Sequence, residues 1–239
     1  LDNLLTLVET FKNITTLKGG QGRDTLRGLD TEAAQDGKAS FILDNNARYL
    51  SGNRTLYFDG IEILRGGSGN DRFEIHGEQQ YDLYGGAGND TFVFLNQAKL
   101  TGRIDGQEGE NTLDYSAYIT PIEIILIGIE GVDLDGDGNI NGIFSGTVTG
   151  ALSGGFANIT HFIGSRVSGD TLRGMDEAGV WTLDGNKITY TNSTIENVLG
   201  NKDSVRISVT GLEILVGSDK GDTFTISGSV PYSLIGGAG

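Results

Sequence analysis

The sequence predicts an all-β chain wound as a right-handed parallel β-solenoid, of the β-helix or β-roll type, with glycine-rich loops at its corners. Two observations predict this class. Glycine accounts for 39 of the 239 residues and proline for only 2, a composition that suits many tight turns between short strands. Glycine loops also recur about every 20 residues with short apolar runs between them, which is the period of one coil. Residues 1–239 are therefore predicted to form one continuous solenoid.

The glycine loops follow the pattern G-G-x-G-x-D-x-U-x, in which U is a large apolar residue. The complete pattern occurs three times, at residues 19–27, 66–74 and 85–93. Degraded or partial copies lie at residues 106–114, 165–173, 217–225 and 236–239. The apolar run that follows each loop is predicted to be a strand, so we expect Phe92 or Phe94 to enter the core.

The spacing of the loops predicts how the coils stack. Gly85 follows Gly66 by 19 residues and precedes Gly106 by 21 residues. Two longer intervals, 19–66 and 106–165, are predicted to hold further coils whose corner loops have lost the signature. At about 20 residues per coil the chain would make about 12 coils. With about 4.8 Å between coils, it would form a rod on the order of 55 to 60 Å long.

A second repeated element precedes most of the loops. It is an apolar-x-x-apolar frame closed by glycine, as in IEIL at 61–64 and LEIL at 212–215, which lie 151 residues apart. The segment DTLRG at 24–28 likewise recurs at 170–174, 146 residues later. These offsets predict an internal duplication of about 150 residues, relating residues 17–93 to residues 163–239.

Charge and composition exclude several classes of function. A formal net charge of −15 argues against nucleic acid and anionic membranes as partners and favours bound cations. Cysteine is absent and the two histidines, His76 and His161, stand alone, so zinc and iron sites are not expected. The longest apolar run, at 122–129, is too short for a membrane span and is predicted to be a buried strand.

The loops resemble the RTX nonapeptide repeats, the calcium-binding repeats of bacterial secreted proteins. The segments between them look similar to those of very large, repetitive bacterial cell-surface proteins. The resemblance implies that the sixth-position aspartate gives a carboxylate to Ca²⁺ and that glycine-loop carbonyls complete the site. The ligands it implies are Asp24, Asp71 and Asp90 with Gly66, Gly67, Gly69, Gly85, Gly86 and Gly88, followed by Asp222, and with Asp170 and Asn111 as poorer matches.

General chemistry agrees with a calcium site in these loops. Ca²⁺ takes six to eight oxygen ligands, many of them backbone carbonyls, which glycine allows to turn toward an ion. The alternative is a plain β-turn, with glycine for positive φ and Asn-Asp for an Asx-turn. This alternative fits best at 165–173, where glycines are missing.

The two interpretations predict different losses of folding stability for two aspartates. We expect Asp90→Ala to lower the free energy of unfolding by about 2 to 3 kcal/mol and Asp170→Ala by under about 1 kcal/mol, as for a surface turn.

A different acidic loop lies at residues 132–142. The residues Asp133, Asp135, Asp137, Gly138 and Asn139 match D-x-D-x-D-G, which is the first half of an EF-hand loop. Phe144 stands where an EF-hand would place its bidentate glutamate. The sequence predicts a calcium loop inserted in a corner of the solenoid, and the alternative is a solvated acidic turn.

Two classes of function fit these features. The first is a calcium-stabilised structural segment of a long secreted or bacterial cell-surface protein, such as an adhesin, stalk or filament, and both chain ends resemble cuts in a longer protein. Its partners would be calcium ions and neighbouring repeats of the same chain, with cell-surface glycans and self-association left open.

The second class is a polysaccharide-active β-helix, a lyase or C5-epimerase, or its carbohydrate-binding module. Such an enzyme needs basic residues and carboxylates that converge in a groove. Arg23, Arg27, Arg65 and Arg72 instead lie beside loop motifs, where a solvated or carboxylate-paired role is the simpler expectation. The first class is therefore favoured, with no enzymatic activity and no catalytic residues expected.

Overall fold

The computed structural model describes residues 2–7, 14–30, 39–129, 144–185, 187–192 and 205–239. All regular structure in these ranges is β-strand, which confirms the all-β prediction, and the strands form one 23-stranded sheet. The strands are β1 (Leu4–Thr6), β2 (Thr16–Lys18), β3 (Thr25–Arg27), β4 (Ala39–Leu43), β5 (Arg48–Ser51), β6 (Arg54–Asp59), β7 (Ile63–Arg65), β8 (Asp71–Gln79), β9 (Asp82–Gly86), β10 (Thr91–Leu100), β11 (Ile104–Gln107), β12 (Thr112–Asp114), β13 (Glu123–Ile129), β14 (Phe144–Val148), β15 (Leu152–Ile159), β16 (His161–Ile163), β17 (Thr171–Arg173), β18 (Gly179–Asp184), β19 (Lys187–Asn192), β20 (Val205–Thr210), β21 (Ile214–Val216), β22 (Thr223–Ser227) and β23 (Ser233–Ile235).

Around the loops at 66–74, 85–93 and 106–114, parallel pairing joins strands that lie one loop interval apart. Arg72 of β8 pairs with Thr91 of β10, and Thr91 pairs in turn with Thr112 of β12. Hydrogen bonds beside these pairs join residues separated by 19 and by 21 positions. In this part of the chain, the spacing of the glycine loops is therefore also the spacing of the parallel strands. Other parallel pairs join residues further apart, from 32 positions for Ala39 and Asp71 to 52 for Leu100 and Leu152.

Three antiparallel meanders interrupt the parallel ladders. They are β4–β5–β6, β13–β14–β15 and β18–β19–β20. The first two occupy much of the intervals 19–66 and 106–165, which were predicted to hold further coils, so part of each interval is an antiparallel meander that the sequence did not predict. Gly52 and Gly150, both at positive φ, lie in the hairpin turns of the two meanders.

The core contains columns of aromatic rings from paired strands. Phe41, Phe73 and Phe92 are in register, and successive ring centroids lie 4.8 and 4.9 Å apart in stacked geometry. Phe94 stacks on Tyr115 at 4.6 Å. Phe92 and Phe94 are both fully buried, so both of these residues, rather than one, enter the core. Stacked pairs of this kind contribute roughly 0.5 to 1.5 kcal/mol each beyond the burial of their surface.

A second column of apolar residues sets the register of the loops. Leu26, Leu64, Leu83 and Ile104 pair successively along β3, β7, β9 and β11, and all are buried. A slip of one residue would turn each of these side chains to the opposite face of its strand. The register is therefore strongly specified, and it brings successive glycine loops into contact.

The apolar run at 122–129 is a strand, as predicted. β13 covers all of this run except Ile122. The run was predicted to be buried, but it is not buried throughout, because Ile124 and Leu126 are buried whereas Ile127 is 63% exposed. In the parts of the chain that the structure describes, no helix is long and apolar enough to cross a membrane.

Candidate metal sites in the glycine loops

Six glycine loops share one arrangement at their first residue. These first residues are Gly19, Gly66, Gly85, Gly106, Gly164 and Gly217. In each loop, a Cβ atom added to the first glycine would lie under 3.0 Å from the backbone carbonyl oxygen of a residue further along the chain. The same Cβ would lie under 3.0 Å from a terminal atom of the loop's own sixth-position side chain. The first glycine is therefore needed because one coil packs directly on the next.

The structure changes the alignment of the loop that ends at Asp170. The nonapeptide pattern begins this loop at Ser165, but the residue that packs against the next coil is Gly164, which approaches the carbonyl of Gly211. The backbone N–H of Ser165 donates to Asp170 Oδ2 at 2.6 Å. Gly67 donates in the same way to Asp71 at 2.7 Å. The loop has thus gained one residue and has kept its first glycine, which a search allowing one insertion would have found.

The other predicted glycines serve conformation, stacking or both. Gly20, Gly22, Gly86 and Gly88 have φ between 107° and 116°, a region that favours glycine. Gly67 lies outside that region, but a Cβ there would approach the carbonyl oxygen of Leu29 to under 3.0 Å.

Two of the loop carbonyls that were predicted to bind calcium also take part in hydrogen bonds between coils. The carbonyl of Gly67 accepts the N–H of Ala87 at 3.2 Å, and that of Gly86 accepts the N–H of Glu108 at 3.0 Å. A carbonyl of Gly69 lies beside Gly88 in the next coil. These glycines therefore hold neighbouring loops together through their backbone atoms.

Sixth-position side chains cap backbone N–H groups of the preceding coil. Asp90 Oδ1 accepts the N–H of Asp71 at 2.7 Å, and Asn111 Oδ1 accepts the N–H of Asp90 at 2.9 Å. The same bond joins Asn3 to Asp24, Ile122 to Asp170 and Gly179 to Asp222. A buried N–H without an acceptor costs about 1 to 3 kcal/mol. A stacked loop therefore needs an acceptor at this position whether or not a metal is present.

The second carboxylate oxygen divides the aspartates into two groups. Oδ2 of Asp71, Asp170 and Asp222 accepts an N–H from the second residue of its own loop, at 2.6 to 2.7 Å. Oδ2 of Asp24 and of Asp90 is buried and has no hydrogen-bond partner among the described residues. A buried carboxylate oxygen that accepts no hydrogen bond is stabilised by binding a proton or a cation.

Burial changes the proton affinity of these carboxyl groups. Asp71 is 4% exposed and Asp90 is fully buried. Burial raises the pKa of Asp71 to about 7 and the pKa of Asp90 to about 8. It also raises the pKa of Asp170. Because the charged form is disfavoured by lost solvation, a cation beside either carboxylate would stabilise that form.

The residues of two loops fit a calcium ion better than the others. No group of three or more His, Cys, Asp or Glu side chains in the described ranges could hold a metal, so backbone carbonyls would provide most of the ligands. Two acceptor oxygens lie beside Gly19, namely the unpaired Oδ2 of Asp24 and the carbonyl oxygen of Gly60. Two also lie beside Gly85, namely the unpaired Oδ2 of Asp90 and the carbonyl oxygen of Gly106. The predicted ligands Asp133, Asp135, Asp137 and Asn139 lie outside the described residues.

The four arginines beside the loop motifs interact with neighbouring side chains. Their partners are Asp82 for Arg23, Asp30 for Arg27 at 2.6 Å, Glu74 for Arg72 at 2.7 Å and the ring of Tyr84 for Arg65 at 4.4 Å from its centroid. Three of them are therefore paired with carboxylates, as expected, and the fourth lies on an aromatic face.

Asp170 is fully buried, which contradicts the expectation of a surface turn. Replacing Asp170 by Ala would leave the N–H groups of Ile122 and Ser165 without their acceptors. We expect a loss of roughly 2 to 3 kcal/mol rather than under about 1 kcal/mol. The measurement is thermal unfolding in chelator, which removes any contribution from calcium, with the exposed residue Asp176 replaced by Ala as the control. Equal stability of the two variants would contradict the capping role.

The chain was compared with known proteins in three ways. No family model, no curated protein and no solved structure matches it. The resemblance to RTX repeats therefore depends on the loop residues themselves and stays a prediction.

Proposed function

We propose that this chain is a structural segment of a long extracellular protein, in which a right-handed parallel β-solenoid is stabilised by calcium. The observation that carries the proposal is the shared arrangement of the six loops. In all of them the first glycine and the sixth-position side chain hold one coil against the next. The motif residues therefore serve the stacking of the chain on itself, which is the role expected of a stalk, filament or adhesin shaft.

Calcium is proposed first at the loops of Asp24 and Asp90. A bound ion would supply positive charge beside a buried carboxylate oxygen that has no other described partner. The chain's own part is to hold that oxygen in place, because Oδ1 of each aspartate is fixed by an N–H of the preceding coil. Asp71 and Asp222 come second, since each of their Oδ2 atoms already accepts a backbone N–H and would have to bind the ion as well.

We propose an extracellular location, at the bacterial cell surface, because of the net charge of the chain and the chemistry of its loops. A net charge of −15 would be reduced by bound cations, and weak calcium sites with Kd of about 10⁻⁴ to 10⁻³ M are typical of extracellular modules. Neighbouring repeats of the same longer chain are the proposed protein partners, and glycans or further copies of the chain are left open.

Contacts that recur along the chain support the proposed duplication. The N–H of Asp24 donates to Glu62 at 2.8 Å, and the N–H of Asp170 donates to Glu213 at 3.0 Å. Five residues after each aspartate, a backbone N–H donates to a buried tyrosine hydroxyl, from Leu29 to Tyr49 and from Met175 to Tyr190. Residues 17–93 and 163–239 thus place equivalent residues in equivalent contacts, as two copies of one unit would.

An assay on anionic glycans separates the structural class from the polysaccharide-active alternative. The arginines beside the loops are engaged by Asp30, Asp82, Glu74 and Tyr84. We expect no turnover of alginate or pectate in calcium, measured as absorbance of unsaturated uronate products. Reproducible turnover that disappears in an Arg65→Ala variant would overturn the structural proposal.

A further inference from the structure

The loops of Asp90 and Asn111 are consecutive and differ at the end of the sixth-position side chain. Beside Gly85 lie Asp90 Oδ2 and the carbonyl oxygen of Gly106, a residue of the next coil. Beside Gly106 lie Asn111 Nδ2 and the carbonyl oxygen of Asn158, again from the next coil. An amide nitrogen in one loop therefore occupies the place that a carboxylate oxygen occupies in the other.

The backbone of the two loops is of the same kind, although the second has lost part of its glycine signature. Gly86 and Gly88 have φ of 108° and 107°, and the equivalent Gln107 and Gly109 have φ of 63° and 92°. Asp90 and Asn111 are both fully buried. Their Oδ1 atoms also have the same role, since each accepts the sixth-position N–H of the preceding coil. The loops differ chiefly in the second terminal atom.

That atom has opposite hydrogen-bonding character in the two loops. Asn111 Nδ2 donates to the carbonyl of Asn158 at 3.2 Å, with longer contacts of 3.4 Å to the carbonyls of Glu108 and Gly109. Asp90 Oδ2 has no described partner, and the atom that lies with it beside Gly85 is another acceptor, the carbonyl oxygen of Gly106. Because Oδ1 of Asn111 accepts an N–H, the hydrogen-bond network fixes which end of its amide is nitrogen.

We propose that the second terminal atom of the sixth-position side chain links two coils. At Asp90 the link is a cation bound to Oδ2, and at Asn111 it is formed by the amide hydrogen atoms on Nδ2. On this proposal, which rests on the proposed calcium binding, the Asn111 loop is metal-independent rather than a degraded calcium site. The amide joins the two loops without burying a charge, whereas the carboxyl group of Asp90 needs a proton or a cation at Oδ2.

Exchanging the two residues tests the proposal. The variants are Asp90→Asn and Asn111→Asp, studied in the whole chain by calcium titration calorimetry and by thermal unfolding in calcium and in chelator. Asp90→Asn should bind one calcium ion fewer and melt several degrees higher than the wild type in chelator. Asn111→Asp should bind one ion more, melt several degrees lower in chelator and recover in calcium. Asn89→Asp is the control, because it adds the same charge next to Asp90 while Oδ1 can still accept the N–H of Glu110.

The outcomes separate this inference from the proposed function. If the wild type depends on calcium but neither exchange changes the number of bound ions or the effect of chelator, the bridge is wrong and the calcium proposal stands. If the wild type binds no calcium, the proposed calcium stabilisation fails and the cation bridge at Asp90 fails with it. In that case the order of stability in chelator, Asp90→Asn above wild type above Asn111→Asp, would still support the amide bridge, and any other order would overturn it.

Discussion

Removal of calcium from the wild-type chain is expected to lower its melting temperature by on the order of 10 °C. A site with Kd of about 10⁻⁴ M contributes about 1.8 kcal/mol at about 2 mM calcium. Two such sites, at Asp24 and Asp90, would contribute roughly 3 to 4 kcal/mol. For a chain of this size each kcal/mol corresponds to about 2 to 4 °C. The measurement is the β circular dichroism signal on heating, in calcium and in chelator.

Two controls make this result specific. Magnesium at the same concentration should restore little of the stability, because Mg²⁺ requires near-ideal octahedral geometry and gives up its water reluctantly. A double variant, Asp24→Asn with Asp90→Asn, should lose most of the response to calcium. Identical wild-type melting curves in calcium and in chelator would rule out the calcium proposal.

The sequence predicts the all-β class and, around the loops at 66–114, the spacing of the parallel strands, because both depend on local patterns. Glycine loops recur at the interval by which strands pair, so Gly66, Gly85 and Gly106 mark successive coils. The meanders are harder to predict, since parallel and antiparallel strands share the same alternation of buried and exposed residues. The turn glycines Gly52 and Gly150 are the local signals that were available for two of the hairpins.

The candidate site is predictable in composition but not in its contacts. The motif identifies Asp24, Asp71 and Asp90 as special positions, and the structure buries all three. What each carboxylate contacts depends on residues far away in sequence, 19 positions for the bond from Asp71 to Asp90 and 48 for the bond from Ile122 to Asp170. A single sequence does not show which distant N–H lacks a strand partner. The missing glycines of its loop therefore predict a surface turn at Asp170, whereas the structure buries this residue.

The stacking role of the first glycine makes Gly164 a sensitive position. A Cβ added there would lie under 3.0 Å from the carbonyl oxygen and carbon of Gly211 and from Asp170 Oδ2. Backbone atoms cannot rotate away as a flexible side chain can, so the two coils would have to separate. We expect Gly164→Ala to cost about 4 kcal/mol, at the upper end for a single overpacking substitution. The fall in melting temperature would be roughly 8 to 16 °C.

The control for Gly164→Ala is the same substitution at Gly236, which begins the partial loop at 236–239. A Cβ at Gly236 would meet no described atom within 4 Å, so Gly236→Ala should change the melting temperature by only a degree or two. Ser165→Ala adds a second comparison, because the nonapeptide alignment makes Ser165 the first residue of the loop, whereas the structure gives that place to Gly164. If Gly164→Ala is as stable as Gly236→Ala in thermal unfolding, the coils do not pack through their first glycines. The shared arrangement of the six loops would then lose its role in holding the chain together.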